Sequence, residues 1–192
     1  MRRNRPEGIS MPVLGIGISL LLGLLLWAVS ALQAVQEART TVHHVIASAL
    51  RADSLSAYVS EALGGRQLTL SSTQAANALP GFLQTAWPGS TAQWTAGGTL
   101  DLTPPRSAQT GLDLTAGPIV LQNLQVVARA PYVVQHFGRT NYVAGPSLAV
   151  DATAAVRIPF FGGAITGTLQ WPITVPLAGS TAPGTFVPLS GP

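Results

Sequence analysis

Val13-Leu14-Gly15-Ile16-Gly17-Ile18-Ser19-Leu20-Leu21-Leu22-Gly23-Leu24-Leu25-Leu26-Trp27-Ala28-Val29 is the stretch on which the fold turns. It is the centre of a longer segment, residues 8 to 36, that has no charged side chain. An α-helix rises about 1.5 Å per residue, so about 20 apolar residues cross the ~30 Å hydrocarbon core of a bilayer. The run is long enough to cross with tilt to spare, whereas buried helices of soluble proteins are rarely uncharged for so long. A secretory signal has an apolar region of only about 7–15 residues before its cleavage site. The best cleavage candidates here, after Ser30 or Ala34, fall inside a continuing helical pattern. A retained membrane span is therefore expected.

The flanks set its expected direction. Arg2, Arg3 and Arg5 precede the span against one acid, Glu7, and after it Glu37 and Arg39 cancel. Basic residues are kept on the cytoplasmic side, which predicts a cytoplasmic N-terminus and an extracytoplasmic remainder in the cell membrane. Five segments are expected: a basic leader over residues 1–10, a transmembrane helix over 11–35, an exported amphipathic helix over 36–64, a β-rich domain over 65–176 and a flexible Pro/Gly/Ser/Thr-rich tail over 177–192.

Composition narrows the partners. Charged residues make up 9% of the 192, far below the ~25% of soluble domains. Such a weakly charged surface suits a domain that lives against neighbours or a membrane. There is no Lys, and beyond Gly65 five arginines stand against three aspartates. That is no basic patch, so nucleic acid is not an expected partner. The chain has no cysteine, which leaves neither disulfides nor thiol chemistry.

Past the span, apolar residues recur at Val35, Ala38, Val42, Val45, Ala49, Ala52, Leu55, Val59 and Ala62, in steps of three and four. Glu37, Arg39, His43, Arg51, Asp53 and Glu61 fall mostly between them. This is one helical face, and Gly64-Gly65 ends it. A single helix from about Pro12 to Leu63 is expected, half in lipid and half outside. A short helix capped at Ser71-Ser72-Thr73 and reaching Leu79 follows, with Pro80-Gly81 and Pro88-Gly89 as breaks. Short strand candidates lie at Thr99–Thr103 and Gly111–Leu114.

Strand signals then strengthen. Ile119 and Leu121 alternate in one phase, Leu124, Val126 and Ala128 in the other, and the slip at Gln122-Asn123 predicts a β-bulge. Tyr132–Phe137 is a further β-rich run before a turn near Gly138-Arg139. Leu148 to Ile158 and Ile165 to Val175 alternate strictly, joined by Pro159-Phe160-Phe161-Gly162-Gly163-Ala164. That pattern is a hairpin with one buried face. Pro172 has no N–H for a ladder and places the second strand at an edge. The expected class is α+β: a long N-terminal helix, transmembrane and then amphipathic, packed against a small antiparallel sheet.

A basic leader, a span that continues as an amphipathic helix, and a small antiparallel sheet resemble the plan of type IV pilin-like proteins. In that superfamily a prepilin peptidase cuts after a Gly that follows the leader. Arg5-Pro6-Glu7-Gly8-Ile9-Ser10-Met11-Pro12 resembles such a junction, with Gly8 before the cut and Ile9 as the first mature residue. Val13 stands where the family usually has Glu, as in minor pseudopilins at filament tips. The closing hairpin around Pro159–Gly163 is similar to the TadE/TadG group of tight-adherence pilus systems. The resemblance implies a non-enzymatic role in assembling a surface pilus or related secretion filament, with other pilin-like subunits or the assembly platform as partners.

Sites of chemistry are not expected. His43 and His44 are adjacent, so a helix points them about 100° apart, unlike a metal-binding i,i+4 pair. A solvated helix face accounts for them, and ordinary packing or a surface hydrogen bond accounts for His136. Asp53, Asp101, Asp113 and Asp151 are scattered, and neither a nucleophile elbow nor a phosphate loop is present. No catalytic, cofactor-binding or metal-binding residue is expected. Gly15, Gly17 and Gly23 are candidates for close helix packing in the membrane. The competing class is a membrane-tethered extracytoplasmic binding protein or enzyme. A tether needs only a flexible linker after the span, and the sequence there reads as helix.

Overall fold

The computed structural model describes residues 11–63, 72–105, 117–160 and 163–177. α1 (Met11–Leu63) is one uninterrupted helix of 53 residues, about 80 Å at 1.5 Å per residue. It crosses from the apolar run into the amphipathic region without a hinge. Ser30 and Thr40 return their hydroxyls to the carbonyls of Leu26 and Gln36, each at 2.9 Å, so neither competes with the helix for a partner.

α2 (Ser72–Ala86) packs beside α1 through buried Ala75, Leu79 and Leu83. It runs through Pro80-Gly81, where the sequence predicts a break. Proline removes the N–H that would bond the carbonyl four residues earlier, here that of Ala76. The indole Nε1 of Trp94 donates to that carbonyl at 2.8 Å. The vacated acceptor is satisfied from a strand, and Leu83 beyond the proline still reaches the core.

Among the described residues seven strands follow: β1 (Thr91–Trp94), β2 (Leu100–Thr103), β3 (Ile119–Val127), β4 (Val133–His136), β5 (Arg139–Tyr142), β6 (Ser147–Phe160) and β7 (Gly163–Pro176). Five form an antiparallel sheet in the order β1-β2-β3-β6-β7, and β4-β5 is a separate hairpin. The 14-residue strands β6 and β7 pair along their whole length, from Ser147–Pro176 to Phe160–Gly163. β7 is an edge strand, as Pro172 requires. The joining segment is shorter than expected, because Pro159-Phe160 and Gly163-Ala164 belong to the ladder. β1 has no alternating signature, and it exists because β2 templates it. Gly64-Gly65 and Gly111–Leu114 lie outside the described residues.

The bulge predicted at Gln122-Asn123 is present. Between the pairs Gln122–Asp151 and Gln125–Ala149, β3 advances three residues while β6 advances two. One extra residue reverses the faces, which is why the apolar phase flips there.

One face of the sheet carries Leu100, Leu102, Ile119, Leu121, Val150, Trp171 and Ile173 against both helices, forming one core with Ala38, Val42, Ile46, Ala49, Leu50, Leu79 and Leu83. The buried stripe of α1 departs from the expected one at its far end. Ile46 and Leu50 are buried, Leu55 is 53% exposed, and Asp53, expected on the polar face, is buried. The β4-β5 hairpin covers part of the opposite face of the sheet.

Candidate functional site

Two features stand out, one at each side of the domain. The first is the bare part of α1. Every residue from Leu14 to Leu26 is exposed, including Leu14, Ile16, Ile18, Leu20, Leu21, Leu22, Leu24, Leu25 and Leu26. One helix near the N-terminus is thus long and apolar enough to cross a membrane. Around Gly15, Gly17 and Gly23 nothing lies within 4 Å of an added Cβ. At about 100° per residue, Gly15, Ser19 and Gly23 follow one strip, while Gly17 sits about 200° away from Gly15. Gly8 and Ile9 lie outside the described residues.

Cover begins at Trp27, which meets Phe160 of β6 edge to face with ring centroids 4.6 Å apart. Ala28, Ala31, Ala34 and Val35 are half-buried and lead into the core stripe at Ala38. His43 and His44 are exposed, as a solvated helix face requires. Partial desolvation lowers the pKa of His43 from its ordinary value, helped by repulsion from His44, Arg51 and Arg39. Gln36, Arg39, Thr40 and His43 line an open groove of about 340 Å³ against Trp171 and Pro172.

The second feature is a buried polar cluster on the far face of the sheet. His136 Nδ1 lies 2.6 Å from Asp151 Oδ1, and His136 Nε2 lies 2.8 Å from Thr174 Oγ1. His136 and Asp151 are both buried. Asp151 Oδ2 accepts the backbone N–H of Phe137 at 2.9 Å and the amide of Asn123 at 3.2 Å. The carboxylate therefore has three partners, which is what a buried charge needs.

Backbone strain converges on the same carboxylate. The non-glycine residues with positive φ among those described are Asn123 (58°) and Phe137 (48°), and both donate to Asp151. A left-handed non-glycine residue costs about 1–2 kcal/mol, and charged hydrogen bonds of about 1.5–3 kcal/mol offset it. Asn123 is the bulge residue, so the extra position in β3 aims its amide at the cluster. Phe137-Gly138 is the two-residue turn of the β4-β5 hairpin, with both φ positive, as primed hairpin turns demand. Asn123 and Gln125 also donate to the Gln135 carbonyl at 2.7 and 2.6 Å, and Gln135 N–H donates to Gln125 Oε1. The hairpin is pinned to the sheet by these polar contacts around Asp151 and Gln135, beside the buried Val134 side chain of β4.

Sequence reasoning expected His136 in packing or a surface hydrogen bond and Asp151 as one of four scattered aspartates. The structure corrects both, because the partners are 15 and 38 residues apart in sequence and meet only when the hairpin docks. The slip at Gln122-Asn123 is the one legible trace of the cluster. Asp53 is the other buried carboxyl, at 2% exposure. Its Oδ2 has no hydrogen-bond partner among the described residues, and burial raises its pKa to about 7. Among the described residues no group of three or more His, Asp or Glu is placed to hold a metal ion.

The chain is therefore an α+β protein whose long apolar helix projects from a helix-and-sheet domain. Compared with protein-family models, with curated proteins and with solved structures, it matches none.

Proposed function

We propose that the protein is a single-pass membrane subunit with a cytoplasmic N-terminus, and that it takes part non-enzymatically in assembling a pilus-like or secretion filament. The observation that carries this reading is α1 itself, whose first half is bare and apolar while its second half forms the core of the domain. A simple anchor has no need for a rigid connection, since a flexible linker would do. A stiff rod fixes the head at a set height and angle, which is what repeated packing between subunits requires. The strip Gly15-Ser19-Gly23 supports it further, because small residues let membrane helices approach closely.

Two measurements test this on the full chain in native membranes. Intact mass should show loss of the first eight residues if a prepilin-type peptidase acts after Gly8. Disulfide crosslinking through Leu22→Cys, the only cysteine in a chain that otherwise has none, should yield a covalent dimer between neighbouring spans. An uncleaved chain that stays monomeric at every position tried along the span would sink the assembly reading.

A second reading, membrane-tethered hydrolase, is favoured by the order Asp151 carboxylate, His136 imidazole, Thr174 hydroxyl. In that order His136 Nε2 would take the Thr174 proton as Oγ1 attacks an acyl carbon, with Asp151 holding the ring. Turnover of an activated acyl ester, lost in Thr174→Val, would establish it.

A further inference from the structure

We infer that the far end of the β6-β7 ribbon, Ile158–Phe160 with Gly163–Ile165, rests in the lipid headgroup region of the bilayer crossed by α1, and so sets where the span ends. The inference depends on the membrane reading of α1 and goes beyond it by naming a second membrane contact.

β3 leaves the ladder at Thr153, its last partner on β6 in that direction. From Ala154 to Phe160, β6 pairs only with β7. Seven residues at about 3.3 Å make a two-stranded ribbon of about 23 Å beyond the sheet. Such a ribbon is marginal in water by itself. Here Ala154, Val156, Ile158 and Leu169 lie against the core, and Phe160 seats on Trp27.

The ribbon therefore descends along α1 and reaches a residue inside the apolar run. Trp27 is also where cover begins, since Leu14–Leu26 are exposed and Trp27 and Ala28 are half-buried. A hydrocarbon core of ~30 Å takes about 20 helical residues. Counted back from Trp27 along the sequence, twenty residues reach Gly8, the first position after the last leader charge, Glu7. The uncharged segment to Gln36 is longer than a bilayer needs, and its surplus, Ala28–Gln36, is where the domain begins to cover one side of the helix, at half-buried Ala28, Ala31, Ala34 and Val35.

The chemistry of the ribbon's far end fits an interface rather than the hydrocarbon. β7 is an edge strand with unpaired backbone groups, which hydrocarbon does not tolerate. Trp27 is a residue type of the aromatic belts at membrane interfaces, and Phe160 packs on it. Ile165, paired with Ile158 near the ribbon's far end, is 49% exposed, and exposed Arg157 sits three residues above Phe160, placed for a lipid phosphate.

The absence of native cysteine permits single labels on the full chain in phosphatidylcholine/phosphatidylglycerol vesicles. An environment-sensitive fluorophore would be placed at Ile165→Cys, Thr166→Cys, Gln170→Cys, Leu32→Cys and Leu21→Cys, and quenched by aqueous iodide or headgroup-nitroxide lipid. Labels at 165 and 166 should be quenched by the nitroxide lipid and show about threefold less iodide quenching than 170, as interfacial residues do. The label at 32 should behave like 170, and that at 21 should be closed to iodide. Iodide quenching at 165 and 166 equal to that at 170 would overturn the inference while the membrane helix stands. Protection of 165 and 166 from both quenchers would overturn it in favour of a protein neighbour, and protection at 32 equal to that at 21 would place the boundary above Trp27 and overturn it as well. Iodide access at 21 would remove the membrane reading itself, and the inference with it.

Discussion

Within α1, Leu14–Leu26 and Ala38–Ser54 are both helical and both rich in apolar side chains, yet they face opposite environments. The first is apolar all round and bare; the second is apolar on one stripe and buried along it. The difference shows that apolar content decides whether a segment leaves water, while angular distribution decides what it packs against. A uniform cylinder is solvated by lipid, which needs no shape match. A stripe needs a surface of matching width, and the sheet supplies it.

Leu50 sharpens the contrast most. It is fully buried in the core, and Leu50→Ala should cost about 2–5 kcal/mol in denaturant unfolding of the detergent-solubilised protein. Leu21→Ala, in the bare half of the same helix, should change that unfolding by less than about 0.5 kcal/mol. Equal effects would mean that the two halves are not distinct environments.

His136→Ala tests the polar side of the sheet. It leaves Asp151 buried with one oxygen unpaired and should cost about 3–5 kcal/mol. The loss should appear as faster amide exchange in β4 and β5, with little change in α1. Replacing Asn123 by Ala removes one of the three partners of Asp151 and should cost less, about 1–3 kcal/mol.

Asp53 supplies the pH dependence. Its carboxyl has a pKa of about 7 in the folded protein against an ordinary 3.8, so the folded state holds the proton more tightly. Its contribution to stability is complete below about pH 4 and is lost as pH rises to about 7. One unit is 1.36 kcal/mol, so the loss is at most about 4 kcal/mol. Asp53→Asn should flatten the stability profile between pH 4 and 7 and unfold at a higher temperature than the parent at pH 8. The smallest effect is expected at Gly23→Leu, which should leave domain unfolding unchanged within about 0.5 kcal/mol while weakening crosslinking between spans.

Much of the fold was legible because its signals are local. The apolar run, the three-four spacing to Ala49 and the alternation in Leu148–Val175 each occupy a continuous stretch, and the structure has a helix, a packed stripe and a hairpin there. Pro80-Gly81 was misread as a break because its compensation, the Trp94 indole on the Ala76 carbonyl, comes from 18 residues away. Asp53 was misread because charge alone placed it on the polar face, whereas the folded domain buries it to 2% exposure. The His136–Asp151–Thr174 cluster was illegible for the same reason, each member being ordinary in its own strand.

By itself the sequence determined the long helix, its split into an all-apolar and a striped half, the bulge in β3 and the closing hairpin, because hydrophobic period acts between neighbours a few residues apart. Only the tertiary structure decided that β1 joins the sheet, that the β4-β5 hairpin buries a histidine on a carboxylate, and that Phe160 meets Trp27. Those contacts join residues 6 to 133 positions apart, and nothing in either partner's local pattern encodes the other.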